Sequence, residues 1–249
     1  MVTVTGLTAS GVGVRYGGVV ALDGVEISVP CGEVVGLIGP NGAGKTTFID
    51  AVTGFVRCTG AIHLIGQDIT TWAPHQRVRA GLSRTFQTVD LFDELTILEN
   101  LAVVMAGRDP DRLPAQPADI LEQFGLTDDA DRYPDELSNG RRRLAGLARS
   151  LMARPRVLLL DEPAAGLDSN ETTELVAPLR RLAADAGIGI LLVDHDVDFI
   201  AGTCSSTYAL DFGRIIASGP TAAVLDSPQV HAAYLGDLEW HEDGAGVRA

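Results

Sequence analysis

The stretch Gly39-Pro40-Asn41-Gly42-Ala43-Gly44-Lys45-Thr46-Thr47 constrains this chain more than any other. It satisfies G-x-x-x-x-G-K-[ST] at every fixed position, the pattern of a backbone loop that cradles phosphate. The flanks suit it. Glu33 to Ile38 is a short apolar run that reads as a strand buried on both faces, and Lys45 to Val52 reads as the start of a helix. The glycines let the backbone close around an anion. The N–H groups of the loop and of the first helical turn then point at it, helped by a helix dipole of about half a charge. Gly39, Asn41, Gly42, Gly44, Lys45, Thr46 and Thr47 are therefore the candidate nucleotide-binding residues. Lys45 is expected to reach the β- and γ-phosphates, and the Thr46 hydroxyl to hold Mg²⁺. The plain alternative is a glycine-rich turn that binds nothing; strand, motif and helix in sequence speak against it.

Composition sharpens this. The chain has 249 residues with 19 basic and 33 acidic side chains, a formal charge of −14. Lys45 is its only lysine, so 18 of the 19 basic residues are arginine. Arginine offers a wide planar fork and lysine a compact charge on a slim stem, so a site that keeps lysine is one where a fork does not fit. A pI near 4.6 speaks against holding nucleic acid through its phosphates, and no nucleic-acid partner is expected. The apolar runs are far shorter than the ~20 residues of a membrane span, and Met1 to Gly11 lacks the cationic-then-apolar pattern of a signal peptide. Cys31, Cys58 and Cys204 sit at no metal-like spacing and read as buried thiols of a reducing cytosol.

Two further strands end in polar residues. Arg156 to Leu160 leads into Asp161-Glu162-Pro163, and Ile188 to Val193 leads into Asp194-His195-Asp196. Ligands of open parallel sheets sit at the carboxyl ends of strands. Asp161 is the candidate to hold Mg²⁺ through its water shell. Glu162 is the candidate to orient and deprotonate an attacking water. His195 is the candidate contact for the γ-phosphate, fixing Glu162 and the water. Taken alone, each is also an ordinary solvated strand end.

With these residues in view, the chain resembles the ATP-binding subunits of ABC transporters from about Val4 to Gly236. Leu137-Ser138-Asn139-Gly140-Arg141 is similar to the family signature, Phe86-Gln87 to its Q-loop and Ala165-Gly166-Leu167-Asp168 to its D-loop. His195 is similar to its switch histidine, and Tyr16 to the aromatic residue that stacks on adenine. The resemblance implies an α/β P-loop NTPase, a RecA-like core with an antiparallel β subdomain and an inserted α-helical subdomain. The implied core is 1–87 and 155–236, the helical subdomain 88–154, and 237–249 reads as a frayed tail. It implies ATP and Mg²⁺, with Gln87 near metal and water. It implies a two-fold pair in which Ser138 and Gly140 of one subunit face the γ-phosphate held by the other. The implied partners are membrane permeases, a second ATPase of the same or homologous kind and, indirectly, an extracytoplasmic solute-binding protein. The implied place is the cytoplasmic face of the cell membrane, held peripherally.

Ser83-Arg84-Thr85-Phe86-Gln87, the run Leu91 to Leu101 and the ending Ala232-Ala233-Tyr234-Leu235-Gly236 are similar to ATPases of branched-chain amino acid importers. Relatives of that group take urea or other amides, or extract lipopolysaccharide. A soluble ABC ATPase, such as the iron–sulfur assembly type, is the competing reading. Two positions depart from the usual signature: Asn139 stands for Gly and Arg141 for Gln. Arg141 is expected to add positive charge near a phosphate, and Arg142 and Arg143 to lie on a solvated helix face. Phe92, Leu95, Leu98, Leu101 and Met105 recur at helical spacing and are expected mainly in the core of the helical subdomain, with one or two near Phe92 lining a cleft for a membrane-subunit helix.

Overall fold

The computed structural model describes residues 5–85, 91–105 and 116–234. Expectations for Gln87 and for the tail at 237–249 fall outside them. The chain opens with β1 (Thr5–Tyr16) and β2 (Val19–Pro30), a long antiparallel pair, then β3 (Val34–Ile38) and α1 (Lys45–Thr53). β4 (Thr59–Leu64), the short β5 (Gln67–Asp68), α2 (Pro74–Ala80) and β6 (Leu82–Thr85) follow. Next come the helices α3 (Ile97–Ala102), α4 (Pro117–Gln123) and α5 (Asn139–Leu151). The rest alternates: β7 (Val157–Asp161), α6 (Ser169–Ala186), β8 (Gly189–Val193), α7 (Val197–Thr203), β9 (Ser206–Asp211), β10 (Arg214–Pro220), α8 (Thr221–Leu225) and α9 (Pro228–Tyr234).

Among the described residues the strands form two sheets. One runs β2-β1-β4-β5 and is antiparallel; the other runs β10-β9-β3-β8-β7-β6, parallel except for the β10 edge. The apolar runs of β7 and β8 follow from being covered on both sides. Leu158, Leu160, Ile190 and Leu192 face the helices α5, α6 and α7. Val157, Leu159, Leu191 and Val193 face α1 and the antiparallel sheet. A one-residue slip of register would exchange the two sets.

The helix-like stretch from Thr96 divides in the structure: α3 spans Ile97–Ala102 and tightens into a 3₁₀ turn at Val103–Met105. Thr96 caps α3 through its hydroxyl, which accepts from the Glu99 N–H, while Glu99 accepts from the Thr96 N–H. Ile97 and Leu101 are buried, whereas Phe92 is 46% exposed, so the apolar stripe is core at one end and surface at the other.

Two features fix the end of α1. Gly54 ends the helix in the left-handed region, and the Arg77 guanidinium takes the carbonyls of Ala51 and Val52 beside it, with those of Thr70 and Trp72. Arg77 is almost wholly buried, and these four acceptors offset its desolvation.

Cys204 is buried under the parallel sheet, and burial pushes its thiol up to about 12. At pH 8 only about one such thiol in ten thousand is ionised. Mass spectrometry after brief iodoacetamide treatment of native protein is expected to find Cys204 unmodified and to find it labelled after unfolding. Prompt native labelling of Cys204 would contradict this packing.

Candidate functional site

β3 lies between β9 and β8, and β8 separates it from β7, so the phosphate loop, His195 and the Asp161-Glu162 pair leave three adjacent parallel strands at their common carboxyl edge. The loop joins the end of β3 to the start of α1. Gly39, Gly42 and Gly44 all take positive φ, and a Cβ on Gly39 would run into the Leu210 carbonyl. Gly44 caps α1 without a side-chain hydrogen bond, and no acidic residue lies in the first turn. The first turn of α1 therefore brings no carboxylate of its own to its N-terminal N–H groups, which suits a bound phosphate. Lys45 is buried, and its ammonium donates to the carbonyls of Gly39 (2.5 Å) and Pro40 (3.0 Å), so it curls back over the loop that it follows. Thr46 is exposed and Thr47 half-buried at the same mouth; Asn41 and Gly42 face solvent. Tyr16 stands half exposed where β1 turns into β2.

Asp161 ends β7 and is 5% exposed. Arg84, on the neighbouring β6, donates to Asp161 at 2.9 Å and to Asp50 of α1 at 2.6 Å. Burial pushes the Asp161 carboxyl up, and Arg84 offsets part of that. The Arg84 link between α1 and β7 crosses 34 residues one way and 77 the other, a separation that no local sequence pattern reports. Glu162 follows in the left-handed region at φ 50, its N–H donating to the Val193 carbonyl at 2.7 Å. A non-glycine residue there stores about 1–3 kcal/mol of strain. Half-buried Glu162 thus lies just past the regular strand, which ends at Asp161.

Asp194 is fully buried and accepts from the N–H groups of Ala164 (3.2 Å), His195 (2.8 Å) and Asp196 (3.1 Å). Burial raises its carboxyl, and these donors hold it down in part. It ties the turn after Glu162 to the turn bearing His195, whose ring is 62% exposed with Nδ1 3.7 Å from Asp194. Its role was not read from the sequence, because a single acidic residue at a strand end carries no signal of burial.

The signature lies at the start of α5. Ser138 caps the helix, its hydroxyl accepting from the Arg141 N–H at 3.3 Å. The Gly140 N–H donates to Glu171 at 2.9 Å, and the other Glu171 oxygen accepts from the Asp168 N–H at 3.3 Å. One carboxylate thus joins the signature turn to the start of α6. Arg141 pairs with buried Asp129 and donates to the Gly125 carbonyl. Arg143 is not solvated either: it is half-buried and donates to the Ala165 carbonyl at 2.9 Å. Arg142 stays on the surface side, 3.6 Å from Asp93. Nearby, Phe92 lies under the Arg149 guanidinium at 4.7 Å, and fully buried Asn100 braces the turn through the Phe92, Leu95 and Thr96 backbone.

The sequence profile described as "ABC transporter" matches residues 22–165, more than half of the chain. The chain belongs to the ABC transporter family. It is an ATP-binding subunit and an ATPase of that family, as the motifs implied. A second profile, "Branched-chain amino acid ATP-binding cassette transporter", matches residues 214–238. The chain is 38% identical to the high-affinity branched-chain amino acid transport ATP-binding protein BraF of Pseudomonas aeruginosa, covering 93% of this chain and 98% of that one. It is 36% identical, with the same coverage, to LivG of Escherichia coli K12, which carries the same description. Among solved structures, the ADP conformation of an ATP-binding cassette of an ABC transporter superposes with a TM-score of 0.84 at 32% identity, covering 94% of this chain and all of that one. Within the family, the likeness thus falls on the branched-chain amino acid type.

Proposed function

We propose that this ABC ATPase energises uptake of branched-chain amino acids or a closely related small solute, working peripherally at the cytoplasmic face of the cell membrane. The observation that carries the site assignment is the convergence of loop, Asp161-Glu162 and His195 on one sheet edge. Tyr16 takes the adenine face. The donors around Asn41, Gly42, Gly44 and Thr47, with Lys45, take the phosphates. Thr46, Asp161 and Gln87 are the residues that would hold Mg²⁺, and the cation, when bound, neutralises charge on the transferring phosphoryl group. Glu162 orients water and accepts its proton; His195 steadies that arrangement. Ser138 and the Gly140 N–H address the nucleotide of a second, like ATPase, so the complete site needs a pair. Asp161 and Thr46 are oxygen donors of the kind Mg²⁺ prefers.

No helix of the described residues is long and apolar enough to cross a membrane. The membrane-spanning part therefore falls to permease subunits, with an extracytoplasmic binding protein delivering cargo to them. The family likeness to BraF and LivG supports the cargo class. The test is reconstitution of the chain in proteoliposomes with permease subunits of the branched-chain amino acid type. Leucine-loaded binding protein is expected to stimulate phosphate release and drive leucine inward. Stimulation by urea or lipopolysaccharide instead, with none by leucine, would overturn the cargo assignment.

A further inference from the structure

We infer that Tyr234, at the end of α9, is a positioning residue of the phosphate loop, holding the point where the loop leaves β3. The inference rests on reading that loop as the nucleotide site. The Gly39 N–H donates to the Tyr234 hydroxyl at 2.7 Å, a bond between residues 195 positions apart. Gly39 is the first residue of the loop. On its other side the Leu210 carbonyl lies so close that a Cβ would collide with it. Gly39 is therefore gripped from two directions, by the end of β9 and by the phenol.

The grip has a consequence for Lys45, whose ammonium rests on the Gly39 carbonyl at 2.5 Å. Tyr234 fixes the peptide on one side of Gly39, and Lys45 is seated on the peptide at its other side. Releasing the first lets the second rotate, and the charge of Lys45 moves with it. A shift of a few tenths of an ångström matters there, because charge-assisted bonds to phosphate are short and directional.

The phenol is well supported. Val230, one helical turn before it, is fully buried, and His231 Nε2 lies 2.6 Å from the Leu225 carbonyl, which ties α9 to α8. Tyr234 packs against the helical side of the core. Burial pushes its hydroxyl up to about 12, with the Asp194 carboxylate adding to the rise, so the group stays neutral at working pH. The half-buried hydroxyl accepts the Gly39 N–H, so the loop supplies it with a hydrogen-bond partner far away in the chain. Tyr234 lies within residues 214–238, the segment matched by the branched-chain amino acid profile. That C-terminal segment thereby becomes part of the nucleotide site.

The test is Tyr234→Phe in the full-length chain, which keeps the ring and removes only the hydroxyl. Affinities for MgADP and MgATP would be measured by fluorescent-nucleotide displacement, together with the Gly39 amide resonance of nucleotide-free protein. Nucleotide affinity is expected to fall about three- to tenfold, raising KM while kcat at saturation is kept. The Gly39 amide is expected to shift and to exchange with solvent at least about tenfold faster. Parent and variant binding nucleotide equally, with an unmoved Gly39 amide, would overturn the inference while leaving the nucleotide site intact. A well-folded parent that binds no nucleotide would instead overturn the reading of the loop itself, and this inference with it.

Discussion

Glu162→Gln is expected to lower steady-state phosphate release by about 10²- to 10⁴-fold, the usual contribution of a positioned general base, while leaving nucleotide affinity within a few-fold. The geometry explains the split. Glu162 follows directly on buried Asp161, but its own backbone is turned into the left-handed region and its N–H is spent on the Val193 carbonyl. The side chain is thereby offered at the sheet edge without belonging to the loop that grips phosphate. Gln has the same shape and keeps an acceptor, so the strained turn is no worse off; what it loses is the capacity to take a proton. Bound nucleotide then persists, and if a second subunit completes the site as proposed, the ATP-bound pair should persist with it. Phosphate release, equilibrium binding and size-exclusion chromatography with ATP measure the three parts. Equal turnover in variant and parent would remove Glu162 from the role of base.

Lys45→Arg should weaken MgATP binding at least about tenfold, near 1.4 kcal/mol, although the charge is retained. The ammonium of Lys45 is buried and bonded to two consecutive carbonyls, those of Gly39 and Pro40, at the inside of a tight turn. Gly39 has no room even for a methyl group on its far side. A guanidinium is broader than an ammonium and directs its donors in a plane. It reaches either the carbonyls or a phosphate in that space, but not both. Calorimetric titration with MgATP measures the loss, and a thermal melt of the nucleotide-free protein checks that the fold is retained. Undiminished affinity would refute the argument from fit, and with it the explanation of why a chain with 18 arginines keeps one lysine here.

Much of this site was legible without coordinates, for reasons that can be named. The loop is local: nine consecutive residues contain its glycines, its cation and its hydroxyls, and their spacing is dictated by the size of a phosphate group. β7 and β8 announce themselves because a strand covered on both faces must be apolar throughout, so the polar residues that end them stand out. Arg141 pairs with buried Asp129, a dozen residues earlier, a contact that no local pattern reports. Arg143 was misjudged: a run of three arginines looks solvated, yet the helix turns one of them inward to the Ala165 carbonyl.

What the sequence determined by itself was the chemistry and its strand-end setting: one phosphate loop with one lysine, two carboxylates, one histidine, each at the end of an apolar run. What only the tertiary structure decided was how those parts are held. Arg84 reaches Asp161 and Asp50, Glu171 takes the Gly140 N–H, and Tyr234 takes the Gly39 N–H, all between residues far apart in the chain. The physical reason is that a hydrogen bond or ion pair depends on distance and burial. Periodicity reports which face of an element is covered, but not which distant polar atom the packing brings to it.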